Sequence, residues 1–137
     1  MPFTHKNLRA DVADIGSNFD AEPGLEFRLA TKALELERSG LCLQRIPAGH
    51  RFPYGHTHKE QEEVYVFLSG SGTAKVGDEE VEVGLLDALR VAPELARNFE
   101  AGPDGLELIA FGAPRAAGQN AASDSEMLPG WWGDEGS

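Results

Sequence analysis

Three things are scarce in this sequence: cysteine, positive charge and long apolar runs. The 137 residues include one cysteine, Cys42, so an internal disulfide is impossible and a disulfide-stapled secreted domain is excluded. No apolar stretch approaches the roughly 20 residues of a membrane-spanning helix. The first residues also lack the apolar run of a signal peptide. We therefore expect a cytoplasmic protein without a membrane partner.

The charge balance narrows the choice of partners further. Lysine and arginine number 12 against 23 aspartate and glutamate, which gives a formal net charge of −11. Because nucleic acids and anionic membranes recruit basic surfaces, we expect neither as a partner. The hydrophobic share of 41% and the charged share of 26% are those of an ordinary globular protein. A chain of this length suits a single domain.

Short strand-like runs separated by glycine-containing turns fill the middle of the chain. The clearest run, residues 63–68, is rich in β-branched and aromatic residues, and residues 69–72 after it are expected to form a loop. About eight evenly spaced strands joined by turns predict an all-β sandwich or closed barrel. The predicted strands are 26–31, 41–46, 63–68, 73–76, 81–83, 87–91, 97–99 and 106–111.

The two ends of the chain differ from this middle region. Residues 1–24 mix polar and turn residues and predict an N-terminal arm, with one short helix at 8–15. We assign the barrel to residues 25–112. Residues 113–137 are rich in alanine, glycine, serine, aspartate and proline and predict a largely irregular C-terminal tail. Two adjacent tryptophans, Trp131 and Trp132, indicate that part of this tail docks on the barrel.

A histidine pair and a nearby glutamate are the main candidates for chemistry. Side chains two apart on a strand face the same way, so His56 and His58 share a face, where two imidazoles can chelate a divalent cation. Glu63 begins the next strand and shares its face with two aromatic residues. A carboxylate in such surroundings is costly alone and favourable beside a cation. A set of two histidines and one carboxylate leaves coordination positions open.

The string His-x-His-x4-Glu-x6-Gly, from His56 to Gly70, resembles the first conserved motif of the cupin superfamily. With its lead-in, residues 51–55, it is similar to small bacterial single-domain cupins. The resemblance implies a double-stranded β-helical, jelly-roll-like barrel in which His56, His58 and Glu63 bind metal. Glu62 ranks second as the carboxylate ligand. The resemblance also implies a homodimer and a divalent ion such as iron, nickel, manganese or zinc, all of which suit imidazole and carboxylate.

The second cupin motif, Gly-x5-Pro-x-Gly-x2-His, is incomplete in this chain. Counting from Asp87 places Arg97 where the family has a fourth ligand, a histidine, whereas alignment on Pro93 places Asn98 there. Arginine stays protonated and cannot ligate a metal. Arg97 could pair with Glu63 and hold a metal-free pocket. It could instead bind the carboxylate or phosphate of a small-molecule ligand, which suits its fork of donors.

Other pocket residues follow from strand phase. We expect four side chains besides Arg97 to face the ligand or the core: Tyr54, Tyr65, Phe67 and Gln44. His50 is expected at the barrel rim. Cys42, in an apolar run, is expected to be a small core residue rather than a nucleophile.

These residues leave two functions of different classes open. One is a metal-dependent enzyme of the dioxygenase, isomerase or lyase type that acts on a small polar or anionic molecule. The other is a non-catalytic barrel that binds or senses a small molecule, with or without metal. An interaction scaffold with a vestigial pocket ranks third.

Overall fold

The computed structural model describes residues 2–19, 24–113 and 124–132, and these are mostly β-strand. One 3₁₀ turn, Gly16–Phe19, precedes the strands. No helix among the described residues is long and apolar enough to cross a bilayer. The all-β prediction is confirmed. The strands are β1 Glu26–Leu29, β2 Gly40–Ile46, β3 Tyr54–His58, β4 Glu62–Val76, β5 Glu79–Gly84, β6 Ala88–Val91, β7 Arg97–Ala113 and β8 Ser125–Pro129.

Two long strands, β4 and β7, carry the architecture. They pair antiparallel from Glu62 opposite Ala113 to Val76 opposite Arg97, with two register shifts on the way. β7 also pairs with β2 and β3, β4 also pairs with β5 and β6, and β1 and β8 complete the sheet at β2 and β3. Because bulges bend a strand pair and increase its twist, the sheet curls around one inner face.

The inner face of this curled sheet holds the core. Tyr65 and Phe67 of β4 are fully buried and meet Phe99 of β7 edge-on, with ring centroids 4.7 and 5.8 Å away. Leu106 and Leu108 of β7 are buried beside them. These aromatic and aliphatic residues belong to one core cluster, and two of them, Tyr65 and Phe99, also line the cavity described below.

The loop predicted at residues 69–72 is wrong, because β4 runs through it without a break. The turn-like composition instead marks the irregular pairing with β7, where register shifts lie between Phe67 and Ser69 and between Gly70 and Gly72. Gly70 has φ +75°, a conformation that favours glycine. A Cβ at this position would lie 2.0 Å from the carbonyl oxygen of Gly105.

The N-terminal arm also differs in detail from the prediction. The helix expected at residues 8–15 is absent, and turns and bends occupy most of this range. The side-chain oxygen of Asn7 accepts hydrogen bonds from the backbone N–H groups of Arg9 and Ala10. Such local side-chain bonds compete with helical ones and favour turns. The arm then reaches the barrel through the 3₁₀ turn.

Part of the predicted tail belongs to the sheet. Ser125–Pro129 form β8, which pairs antiparallel along the whole of β3. Trp131, just beyond β8, lies over Gly55, where an added Cβ would come within 2.5 Å of the indole. The ammonium of Lys75 and the guanidinium of Arg51 lie 4.7 and 4.4 Å from the ring centroids of Trp131 and Trp132. The tryptophan pair therefore docks against the barrel and secures β8.

Replacing Gly70 by alanine should destabilise the barrel. The variant must adopt a left-handed backbone and displace the Gly105 carbonyl, which together cost about 2 to 4 kcal/mol in the free energy of unfolding. Chemical denaturation measures this loss. Gly84→Ala is the matched control, because the space around that Cβ is open and its φ is not positive. Equal stability of the two variants would contradict this role for Gly70.

Candidate functional site

Three neighbouring strands bring the predicted site residues together. β3 supplies His56 and His58, β4 supplies Glu63, and β7 supplies Arg97, whose Cα is the register partner of His56. The alternation of β3 turns both imidazoles inward, with ring centroids 5.0 Å apart and planes at 80°. The two-residue spacing of His56 and His58 on β3 therefore brings the two imidazoles side by side.

The three candidate ligands converge on a small volume. His56 Nε2 lies 3.2 Å from Oε1 of Glu63, and His58 Nε2 lies 3.2 Å from its Oε2. All three ligand atoms lie within 4.8 Å of one another. Two adjacent ligands at right angles around a first-row ion, with bonds of about 2.1 Å, are about 3 Å apart. The two histidine–glutamate separations thus match those of neighbouring metal ligands.

The ionisation states suit a cation. Burial disfavours the charged form of Glu63, but its contacts with His56 and His58 outweigh burial, so the pKa of this carboxyl lies well below its usual value. Burial lowers the pKa of His56, and Glu63 offsets this only in part. Glu63 is therefore an anion and His56 a neutral imidazole near neutral pH, which are the protonation states that metal coordination requires.

Asp124 orients the second imidazole, and sequence reasoning missed it. Its Oδ2 lies 3.0 Å from His58 Nδ1, and its two oxygens also accept the backbone N–H groups of Glu60 and Gln61. Burial raises the pKa of Asp124, but the Gln61 N–H and the other contacts outweigh it and lower the pKa overall. The carboxylate is therefore the acceptor and His58 Nδ1–H the donor. One acidic residue among several in the tail carried no sequence signal for this role.

With Nδ1 held by Asp124, the Nε2 atom of His58 faces the cluster. This nitrogen is buried and, among the described residues, has no hydrogen-bond partner. A neutral imidazole that donates through Nδ1 and offers Nε2 is the usual form of a metal-bound histidine with a carboxylate behind it. The cluster His56, His58 and Glu63 therefore fits a divalent metal ion.

Two further groups contact the same carboxylate. The Tyr65 hydroxyl donates to Oε1 of Glu63. Arg97 Nη1 lies 3.6 Å from that oxygen, and Arg97 Nη2 donates to the carbonyl of Ala92. Arg97 is fully buried, and its Nε and Nη1 have no hydrogen-bond partner within the described part of the chain. The guanidinium therefore balances the charge of Glu63 and would repel a dication at close range.

The cluster opens into a cavity of about 260 Å³ inside the curled sheet. Tyr54, Tyr65, Gln44 and Arg97 line this cavity, as the strand phase predicts. Most of the remaining wall is apolar. Besides the three candidate ligands, the lining includes Ile15, Phe19, Phe27, Leu29, Leu41, Cys42, Phe52, Gln61, Asn98, Phe99 and Met127.

Three expectations need correction or comment here. Phe67 lies in the core and not in the cavity wall, because it sits one residue pair further along β4, opposite Leu108. Glu62, the second-ranked ligand, is exposed and pairs with Arg90 at 3.0 Å on the outer face. Cys42 is buried, and burial raises the pKa of its thiol to about 12, so it is no nucleophile near neutral pH.

The structure also separates the two candidates from the second motif. Arg97 reaches Glu63, whereas the side chain of Asn98 donates to the carbonyl of Phe52 and accepts from the N–H of Phe99. Arg97, and not Asn98, therefore faces the three candidate ligands at the position where the second motif has its histidine. His50 is half-buried in the β2–β3 connection and lies outside both the ligand cluster and the cavity lining.

No protein-family model and no curated protein matches the chain, but many solved structures share its fold. A cupin protein from Bacteroides fragilis is 22% identical, with a TM-score of 0.66 over 90% of this chain and 94% of that one. A Klebsiella pneumoniae protein with a double-stranded β-helix domain is 15% identical, at 0.67 over 90% and 96%. Pac13 from Streptomyces, a nucleoside dehydratase, is 13% identical, at 0.70 over 92% of both chains.

These likenesses define the class of protein by its fold: the chain is a double-stranded β-helical barrel of the cupin type. At such identities they carry the fold and no activity. The cupin resemblance of the first motif is therefore confirmed at the level of architecture.

Replacing Asp124 by asparagine should destabilise the site. An amide cannot accept all the N–H groups that the carboxylate accepts, so we expect a loss of about 2 to 4 kcal/mol at neutral pH. Because folding depresses the pKa of Asp124, its contribution is present above its ordinary value of 3.8 and is lost as the pH falls below it. Denaturant unfolding at pH 7 and at pH 3 measures both effects.

Asp78→Asn, at the exposed β4–β5 hairpin, is the matched control and should change stability little. Side-chain ¹⁵N spectra should show the proton of His58 on Nδ1 in the wild type and a redistributed tautomer in Asp124→Asn. An unchanged tautomer together with unchanged stability would contradict the role given to Asp124.

Proposed function

We propose that this protein binds one divalent first-row metal ion through His56, His58 and Glu63 and uses it to hold a small molecule in the barrel. The observation that carries this proposal is the buried Nε2 of His58, which makes no hydrogen bond within the described part of the chain and which Asp124 aims at Glu63. When bound, such an ion supplies Lewis acidity at coordination positions that the protein leaves open.

The chain's own residues define what would happen to a ligand there. Asp124 holds His58 in one tautomer, and Tyr65 and Arg97 hold the Glu63 carboxylate at a fixed place. The mainly apolar cavity wall limits water around the cluster, which strengthens electrostatic contacts inside it. Arg97 is placed to orient an anionic group only if that group reaches past Glu63, since the guanidinium is fully buried.

An enzyme of the dioxygenase, isomerase or lyase type is the function that this arrangement supports best. Pac13, one of the structural neighbours, is a nucleoside dehydratase, and a variant of it was solved with uridine. That neighbour supports the use of such a barrel cavity for chemistry on a small molecule. It does not carry its substrate over to this chain, because the two sequences share 13% identity.

A metal-free binding or sensing barrel is the second candidate, and one observation favours it. Arg97 Nη1 already lies 3.6 Å from the proposed ligand Glu63 and neutralises it without any ion. In that case the cavity binds a small molecule non-catalytically. The two candidates differ in their metal content and in turnover.

The homodimer stays a prediction. Phe111, which is 45% exposed on the outer face of β7, is an apolar side chain that such a contact could cover.

Metal content tests the proposal directly. Protein purified without added metal, or titrated with Zn²⁺ or Mn²⁺, should hold about one ion per chain, measured by elemental analysis and calorimetry. His58→Ala should lose this ion because it removes the unpartnered Nε2. His50→Ala, a histidine outside the cluster, is the control and should retain it. If the wild type neither carries nor takes up an ion, the metal-free candidate replaces the proposal.

The charge of Arg97 should weaken metal binding. Arg97→Gln removes a cation close to Glu63, so we expect divalent-ion affinity to rise by about tenfold. Arg97→His should raise it further, since a fourth ligand then faces the cluster. Arg90→Gln, which breaks the exposed pair with Glu62, is the matched control. Calorimetric titration measures all three, and an unchanged affinity in both Arg97 variants would contradict this placement of Arg97.

A further inference from the structure

The cavity has two unlike ends. At one end lie the titratable groups His56, His58 and Glu63, whose chemistry the proposed metal would complete. At the other end the lining is mainly aromatic and aliphatic, contributed by the N-terminal arm, β1 and the segment before β3, with Gln44 opposite Phe27 as a polar member. A ligand that fills this space must therefore carry both a polar group and an apolar body. This requirement restricts the class of small polar ligand that the sequence predicts.

Three phenylalanines form the apolar end. Phe19 of the 3₁₀ turn lies 4.8 Å from Phe27 of β1, and Phe52 lies 5.3 and 5.8 Å from these two rings, measured between centroids. The interplanar angles are 50° to 57°, so the rings make a tilted three-sided wall. Phe19 and Phe27 are only partly buried although they pack on the core. Such a wall has room to accept the edge or face of another ring.

The volume of the cavity limits the size of the ligand. An apolar cavity of about 150 Å³ is enough to bind benzene. The cavity here, at about 260 Å³, leaves space for one six-membered ring and a short polar substituent.

We infer that the ligand of this barrel is a single-ring aromatic acid, with its ring against Phe19, Phe27 and Phe52 and its carboxylate at His56 and Glu63. The carboxylate half rests on the proposed metal, whose open coordination positions would take the carboxylate of the ligand beside His56, His58 and Glu63. The ring half rests on the shape and composition of the cavity alone.

Benzoate, cyclohexanecarboxylate and acetate are the probes, and phenol is the neutral one. Calorimetry on the full chain with one equivalent of Zn²⁺, and again after chelation, should show benzoate binding roughly thirtyfold more tightly than acetate, because the ring leaves water. Chelation should abolish carboxylate binding and leave weak phenol binding.

The chain has two methionines, so a ¹³C-methyl label on methionine gives a simple spectrum. Benzoate should shift the Met127 methyl signal by ring current, and cyclohexanecarboxylate should shift it less.

Phe27→Leu should weaken benzoate binding by roughly three- to tenfold and leave acetate binding unchanged, since it removes one face of the wall. Phe3→Leu is the matched control, because Phe3 is 71% exposed and does not line the cavity. Equal affinity for benzoate and acetate in zinc-loaded protein would overturn the inference, as would failure of both benzoate and phenol to bind. If the carboxylates bind equally well after chelation, the metal proposal fails while the preference for a ring still stands.

Discussion

The negative charge of the largely buried Glu63 side chain is the constraint around which the site is organised. Its carboxylate lies among two imidazoles, a phenol and a guanidinium on strands β3, β4 and β7. The contacts with the two imidazoles keep its pKa well below the usual value despite burial. An isolated carboxylate in such a place would be neutral or would disrupt the fold. The interior of the barrel is therefore charged at one point and mainly apolar elsewhere, and both proposals follow from that contrast.

The C-terminal segment is part of this organisation. Asp124 reaches under the site from the start of β8, and β8 pairs with the strand that carries both histidines. Beyond it, Trp131 packs on Gly55 in the middle of β3. The geometry of the candidate ligands therefore depends on residues about 65 positions away in sequence. A shortened chain that ended after β7 would keep the ligand residues and lose the group that orients His58.

Local sequence patterns predicted those features that local physics controls. The alternation of β3 and β4 placed His56, His58 and Glu63 on inward faces, and the glycine of the first motif, Gly70, adopts a backbone that favours glycine. Features that depend on long-range contact were beyond such reasoning. The loop predicted at 69–72 became a bulged continuation of β4, because β7 offered a partner along its whole length. Asp124 and the phenylalanine wall depend on which segments meet in space, which neither spacing nor composition indicates.

The proposed metal centre consists of Glu63 and its two histidines beside a buried arginine. A crystal structure of protein grown with Mn²⁺ or Zn²⁺, with data collected on both sides of the absorption edge of the metal, tests this most directly. We predict one anomalous peak per chain, about 2.1 Å from Nε2 of His56, Nε2 of His58 and one oxygen of Glu63. A map with no anomalous peak in the barrel, and with Arg97 still paired to Glu63, would contradict it.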